Sequence, residues 1–347
     1  MATLVDKNLS IIIPHLHGFN ILDECITSII QYTNDVNYEI IVINNNSIDG
    51  SIEKIKKKFS DLTIIDSNTN RGYAGGCNLG AKNAMGKYLL FLNNDTIITE
   101  NAIEILLNEI QINNNISSVQ PKIKNYHNKE VFEYAGGSGG YIDYLAYPFA
   151  RGRIFNTIEK DEGQYEDKKK IFWASGTAFL TRKEIFNKIG GFDETLFAHM
   201  EEIDYHWKCL LHKYDIYVIP KSIIYHKGGE TLQYGTHKKI YLNHRNSMVL
   251  FLTNHIKLSF NMIMKRLILE KLAALYYLLT GKIGGFIAVL KALIWILLNR
   301  KYIKMRRAEI KKTVPHDSNI PEQLMVPYSI VKKYYNQNKK TFQELNQ

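Results

Sequence analysis

Lys87-Tyr88-Leu89-Leu90-Phe91-Leu92-Asn93-Asn94-Asp95-Thr96 is an apolar run that stops abruptly on a short polar cluster and a carboxylate. Five apolar or aromatic residues between turn signals read as a buried strand, Tyr88 to Leu92. In an α/β sheet the carboxyl ends of parallel strands face the ligand crevice. Asp95 therefore falls where a hard cation such as Mg²⁺ or Mn²⁺ could gather carboxylate and diphosphate oxygens. The plainer reading is an Asx-type turn with a solvated Asp.

Outward from this strand, elements alternate. Leu9 to Pro14 reads as a first strand and Ile21 to Tyr32 as a helix, with Leu22, Cys25, Ile26, Ile29 and Ile30 on one face. Tyr38 to Ile43 and Leu62 to Asp66 read as strands, Ser51 to Phe59 as a short basic helix between them. Gly72 to Met85 is a Gly-rich loop running into a helix, and Ala102 to Ile110 another helix. Strands alternating with helices predict a Rossmann-like, mostly parallel sheet flanked by helices. Past residue 115 the pattern loosens. Residues 125–170, with Gly136-Gly137-Ser138-Gly139-Gly140, read as a mobile loop region around a site. Order returns from Ile171 to Leu180, followed by helices over Arg182 to Ile189 and Glu201 to His212, and a strand over Ile216 to Pro220.

With 347 residues, 45% hydrophobic and 22% charged, the chain is long enough for about two domains of ordinary globular composition. Cys25, Cys77 and Cys209 are far apart, which argues against a zinc site or disulfide framework and fits a reducing compartment such as the cytoplasm. The opening residues show no basic region followed by an apolar one, so no secretory signal is expected.

Charge is unevenly placed. The first 249 residues hold 27 Lys and Arg against 29 Asp and Glu; residues 250–347 hold 17 against 5. This divides the chain into 1–250 and a helical, basic, membrane-proximal extension, 251–347. Leu267 to Leu298 is strongly apolar, but its longest charge-free piece, Leu272 to Gly281, is too short to span a bilayer. The basic run Arg300 to Arg307 follows. Apolar helices beside Lys and Arg fit peripheral attachment to the anionic inner face of the cytoplasmic membrane. The alternative is a hairpin packed on its own domain, or a homo-oligomer contact. Nucleic acid is not the expected partner, because the cations share their helices with Leu, Ile and Trp.

Four pieces carry chemistry: the strand ends Pro14-His15 and Asn44-Asn45; Asn70-Arg71-Gly72-Tyr73-Ala74-Gly75-Gly76-Cys77-Asn78; Asn93-Asn94-Asp95; and Gly190-Gly191-Phe192-Asp193 with Met200-Glu201-Glu202-Ile203-Asp204 and Tyr225-His226-Lys227-Gly228-Gly229. In this order they resemble the family 2 glycosyltransferases, inverting enzymes with the GT-A fold, and more narrowly the bacterial rhamnosyltransferase-like branch. The resemblance covers residues 8–250 and implies a metal-dependent transfer from a nucleotide-sugar donor, dTDP-rhamnose or a UDP-sugar, to a hydroxyl of a saccharide or lipid-linked saccharide in surface polysaccharide synthesis.

The resemblance also implies roles. Asn44 stands where the family has the Asp that holds the donor base; its side-chain oxygen can still accept a pyrimidine N–H. Pro14, His15, Asn45, Asp49, Arg71, Gly72, Gly75, Asn78, Asn93 and Asn94 fall on the donor side. The glycines let backbone approach the nucleotide, and a helix N-terminus favours its charge. Asp95 would hold Mg²⁺ or Mn²⁺ and His226 matches a further metal or phosphate contact. Glu202 is expected to be the base and Glu201 the runner-up; charge at a helix N-terminus is their plainer role. Trp173, Ser175, Gly176 and Asp204 fall on the acceptor side, with core burial the plainer fate of Trp173 and a structural role the alternative for Asp204. Two alternatives are a catalytically inactive carbohydrate-binding relative, motivated by Asn44 and Asn93, and a nucleotidyltransferase. The latter wants a Gly-rich phosphate loop after the first strand, where this chain has Pro14-His15-Leu16-His17-Gly18.

Overall fold

The structure, a computed structural model, describes residues 8–228 and 236–346. Its centre is a sheet built around four strands: the buried β1 (Leu9–His15), β2 (Tyr38–Asn44) and β4 (Tyr88–Leu92), and the partly exposed edge strand β3 (Thr63–Asp66). These pair in parallel in the order β4-β1-β2-β3. Helices α1 (Phe19–Tyr32), α2 (Ser51–Lys58) and α3 (Gly72–Asn83) make the crossovers. Parallel strands covered on both faces must be apolar throughout, and Ile11, Ile12 and Ile13 are all fully buried.

After β4 the sheet becomes mixed. A short strand, β5 (Thr96–Ile98), and helix α4 (Ala102–Gln111) lead to β6 (Ile116–Asn125). Beyond the small strands described below, β12 (Ala178–Arg182) runs antiparallel between β4 and β6, so the sheet is less parallel than expected. Helices α5 (Lys183–Ile189) and α6 (Glu201–Leu211) precede β13 (Asp215–His226), which extends well past the expected Pro220. β13 pairs with β6 in parallel, with the edge strand β11 (Lys169–Lys170), and at its far end with β5.

Residues 125–170 are not a loop region. They build a second sheet from β7 (Gly140–Asp143), β8 (Pro148–Ala150), β9 (Arg153–Ile154) and β10 (Thr157–Ile158). Its strands are too short to show an alternation. The glycines are packed rather than loose: a Cβ on Gly140 would overlap the indole of Trp173, and one on Gly137 the Arg151 carbonyl.

The basic extension comprises α7 (His237–Asn254), α8 (Phe260–Leu279), α9 (Ile283–Leu298), α10 (Arg300–Thr313), β14 (Met325–Val326) and α11 (Ile330–Tyr335). Residue 250, the expected division, lies inside α7. β14 completes the second sheet by pairing with β7. Arg306 on α10 reaches Asp204 on α6 and Asp193, the latter at 2.8 Å.

Candidate active site

A cleft of about 360 Å³ opens at the carboxyl end of β4. Its first wall follows from strand register. β4 ends at Leu92, the chain turns through Asn93-Asn94-Asp95, and Thr96 then pairs with His226 at the end of β13. That pairing brings Asp95 Oδ1 to 3.0 Å from His226 Nε2, while Nδ1 lies 3.3 Å from Glu133 Oε1. Burial works against charge on His226, but the two carboxylates outweigh it and push the imidazole up to about 10. Burial likewise works against Asp95, and His226 outweighs it and holds that carboxyl low. Asp95 Oδ1 is buried, with the His226 imidazole as its close partner. Asn93 Nδ2 lies 3.3 Å from His226 Nε2. The remainder of the His226 motif, Gly229, lies outside the described residues.

The opposite wall is the N-terminus of α6. Glu201 and Glu202 both line the cleft. Burial raises both carboxyls, Glu202 to about 7 and Glu201 further, because Glu201 also faces the charge of Glu202. Backbone N–H groups at the helix start pull Glu202 partly back. One carboxyl oxygen of each is buried without a hydrogen-bond partner. A pair so placed can hold or release a proton near neutral pH.

The turn that delivers this pair is strained. Phe197, His199 and Met200 all have positive φ, at 66°, 67° and 74°. Helix α7 pins it from behind. Arg245 Nη2 donates to the carbonyls of Thr195 and Leu196 at 2.9 Å each. Asn246 Nδ2 donates to Leu196, Ala198 and His199 carbonyls at 3.0, 3.0 and 2.6 Å. From the front, Ala74 N donates to the Phe197 carbonyl at 3.1 Å. Gly72 has φ 68°, and a Cβ there would overlap that same oxygen. Strain held this firmly from two sides is the usual mark of a functional turn.

Other expected residues divide. Pro14, Gly72, Asn93, Asn94, Trp173, Ser175 and Gly176 line the cleft with the two acidic walls. Trp173 is mostly core: it is buried and its Nε1 donates to the Tyr141 carbonyl at 2.9 Å. Ser175 donates to the Ala135 carbonyl, and the Gly176 carbonyl accepts from Tyr73 at 2.5 Å. His15 stands one layer behind, 2.9 Å from Asn94 Nδ2 and 2.7 Å from Ser51 Oγ, and burial pushes it down to about 4. Asn45 accepts from Arg71 N at 2.8 Å and donates to Gly72 O at 2.9 Å, shaping the start of α3.

Several do not reach the cleft. Asp204 is fully buried, paired with Arg306 and with Lys208 at 3.1 Å, so it is a structural anion rather than an acceptor contact. Arg71 pairs with Glu194 at 2.9 Å, and Asn78 donates to the Phe192 carbonyl at 2.9 Å; both tie α3 to the Gly190–Glu194 turn, and Gly75 packs against Arg71. Asp49 accepts from Gly18 N at 2.7 Å and from Ser47 Oγ at 2.7 Å, closing its own turn. Asn44 accepts from Ser47 N at 2.8 Å, and its Nδ2 donates to Asp66 Oδ1 at 2.8 Å. A carboxylate therefore does stand beside Asn44, supplied by β3. The sequence reading also missed Tyr134, Arg153, Phe197, Lys238, Lys239 and Asn243, which line the cleft. The Lys238-Lys239 pair just after the His226 segment was the one local signal for them. Among the described residues no group of three or more His, Cys, Asp or Glu forms a closed metal cluster.

Known proteins agree with this arrangement. The model of glycosyl transferase family 2 matches residues 10–190. A glycosyltransferase of Rickettsia felis without assigned activity is 32% identical over 157 residues, 45% of this chain and 24% of its own. The poly-beta-1,6-N-acetyl-D-glucosamine synthase of Staphylococcus epidermidis is 27% identical over 198 residues, 56% of this chain and 44% of its own. The chain thus spans less than half the length of these relatives. Among solved structures, GalNAc-T7 with UDP, GalNAc and Mn²⁺ superposes with TM-score 0.58 at 18% identity, over 72% of this chain and 48% of that one. The mannosyltransferase PcManGT of Pyrobaculum calidifontis, with GDP-Man and Mn²⁺, gives 0.50 at 13% identity, over 89% and 86%. At such identities the likeness speaks for the fold. The matched family, which covers more than half of the chain, and the mixed sheet with its cleft at the end of β4 lead to one conclusion: this chain belongs to glycosyltransferase family 2 and has the GT-A fold.

Proposed function

We propose that the chain catalyses an inverting transfer of a sugar from a nucleotide donor to a saccharide hydroxyl. The observation that carries this reading is the convergence of Asp95 and His226 with Glu201 and Glu202 on one cleft. The acceptor oxygen attacks the anomeric carbon as Glu202 takes its proton. The bond from that carbon to the diphosphate oxygen breaks on the opposite face, and its electron pair leaves with the nucleoside diphosphate. Glu202 is favoured over Glu201 because it is the less buried of the two and so the more open to an acceptor hydroxyl in the cleft.

The residues fit a divalent cation. Asp95 Oδ1, buried and paired with His226 Nε2, offers one ligand; the imidazole, protonated between its two carboxylates, offers a second once a bound cation displaces its proton, and diphosphate oxygens suit the remaining positions. Asp95 and His226 would hold Mg²⁺ or Mn²⁺, which when bound neutralises charge on the departing diphosphate. Beyond the cleft, at the carboxyl ends of β2 and β3, the exposed Asp66 carboxylate, to which Asn44 Nδ2 donates at 2.8 Å, is the acceptor proposed for the N–H of uracil or thymine. This supports dTDP-rhamnose or a UDP-sugar as donor. A saccharide or lipid-linked saccharide at the inner face of the cytoplasmic membrane, on the way to a surface polysaccharide, is the proposed acceptor.

The test is nucleoside diphosphate release with a panel of nucleotide sugars, with Mn²⁺ or Mg²⁺ and with chelator, for wild type and Asp95→Asn. Release with one donor, lost on chelation and in the variant, is expected. No turnover and no thermal stabilisation by any donor would replace this reading with that of an inactive carbohydrate-binding relative.

A further inference from the structure

Helix α8 is built inside out. Its buried positions are Arg266, Glu270 and Ala274. Its exposed face is apolar: Ile268, Leu272, Leu275 and Leu279 recur at helical spacing and are 46% to 76% exposed. Helix α9 buries apolar residues, Ala288, Val289 and Ala292 among them, yet it too leaves a stripe outside, with Ile283, Ile287, Leu290 and Ile294 39% to 53% exposed. The polar face is firmly docked. Arg266 donates to Glu270 Oε1 at 2.8 Å and to Ser247 Oγ at 2.7 Å, and Glu270 Oε2 lies 2.6 Å from His244 Nδ1. Breaking a buried ion pair of this kind is costly, so the hairpin cannot roll to hide its leucines. Two adjoining helices with continuous apolar stripes exceed the scattered exposure normal for a protein surface.

The surrounding charge selects what covers this face. From residue 260 to 313 the only acidic residues are Glu270, which is buried, and Glu309. Lys271, Lys282 and Lys291 are exposed along the stripes, and α10 adds Arg300, Lys301 and Lys304. A second copy docked face to face would set these cations against one another. An anionic bilayer would pair them while burying the stripes. No single helix among the described residues is long and apolar enough to cross a membrane; α9 and α10 together would be, but they are bent by 71° at their junction, and the cations of α10 favour a place at the headgroups.

We propose that the α8–α9 hairpin seats in the headgroup region of an anionic bilayer, stripes inward. The hairpin also adjoins the cleft. A Cβ on Gly284, at the start of α9, would overlap the ring of His237, and the next residues, Lys238 and Lys239, line the cleft. Seating the hairpin thus brings the cleft beside the lipid surface. Resting on the glycosyl-transfer reading above, the acceptor is then a lipid-linked saccharide whose tail stays in the bilayer while its sugar enters the cleft.

The test is sedimentation of the full chain with vesicles of phosphatidylcholine alone and with added phosphatidylglycerol. Wild type should bind the anionic vesicles, less so at high salt. Leu275→Glu/Leu279→Glu should weaken binding at least about tenfold. Lys271→Gln/Lys282→Gln/Lys291→Gln should lower it on the order of a hundredfold and remove the preference for anionic lipid. All five positions are exposed, and unchanged thermal melts would confirm that the variants fold. Absence of vesicle binding overturns the proposal. So does a dimer in light scattering that the leucine variants dissociate, with no vesicle binding by wild type. Vesicle binding together with full activity on a free, unlinked oligosaccharide overturns the lipid-linked acceptor alone. Donor hydrolysis in solution should survive in the hairpin variants, separating this result from any failure of the catalytic reading.

Discussion

Replacing Glu202 and Glu201 in turn by Gln tests the base through the shape of a pH profile. Burial raises both carboxyls, Glu202 to about 7, and each resists ionisation beside the charge of the other. With Glu202 as the base, the first negative charge of the pair is the one that accepts the proton, and Glu201 stays protonated beside it. For the wild type, kcat/KM should fall about tenfold per pH unit below that pKa, since only the ionised base accepts the proton. Glu202→Gln removes the base while keeping its shape, and should cost about 10²–10⁴ in kcat and abolish the rising limb. Glu201→Gln removes a group that is already neutral, so the limb should stay and the rate change by less than about tenfold. The assay is nucleoside diphosphate release across neutral pH at fixed ionic strength. A flat wild-type profile, or a limb that disappears in Glu201→Gln and persists in Glu202→Gln, would refute the assignment.

Asn246→Ala removes three hydrogen bonds to the 196–199 turn, worth about 2–3 kcal/mol together. The melting temperature should fall, and kcat should fall more than KM rises; unaltered kcat would mean that the clamp does not position the acids. Gly72→Ala adds a Cβ against the Phe197 carbonyl, whereas Gly190→Ala, also at positive φ, meets open space. Both pay about 1–2 kcal/mol for the left-handed backbone, but only Gly72→Ala should lose most activity in steady-state kinetics. Arg306→Ala leaves Asp204 buried beside its weaker partners and should cost about 3–5 kcal/mol in chemical denaturation. Burial raises Asp204, but Arg306 and Lys208 outweigh it and hold its carboxyl low in the folded state. The stability tied to that depression is therefore complete above the unfolded value of about 4 and lost as pH falls toward the folded one, so the gap between variant and wild type should narrow in acid.

The first half of the fold was legible because buried parallel strands are continuous apolar runs and their helices carry one apolar face. Tyr88–Leu92 was read to the residue, and Asp95 with it. The acids at Glu201 and Glu202 were legible as a motif, but the strain at Phe197, His199 and Met200 was not, since nothing local asks those residues for positive φ. Asp204 was left between a structural and an acceptor-positioning role because the partner that decides for structure, Arg306, lies about a hundred residues away on another helix. The second sheet was invisible for a related reason. Strands of two to four residues have no period to detect, and their glycines signal close packing as readily as a loose turn. In the extension, the apolar face was seen. What the sequence could not say is that, of the charges interrupting it, Glu270 points into the protein to meet Arg266 while Lys271, Lys282 and Lys291 stay outside.

The pairing of β14 with β7 has a consequence for the order in which the molecule can be made. Ile142 and Tyr144 give their N–H groups to Leu324 and Val326, and Asp143 accepts from Ile330 N at 3.0 Å. Tyr141 packs on Phe342, and Tyr334 lies 2.8 Å from Thr157. The sheet behind Trp173 is thus closed by segments synthesised some two hundred residues after it begins. Such distant closure is slow. A growing chain can fold its nucleotide half early, yet the sheet against which Trp173 packs stays open until residues 325–342 have left the ribosome. Turnover should therefore be withheld from nascent chains that stop short of these residues.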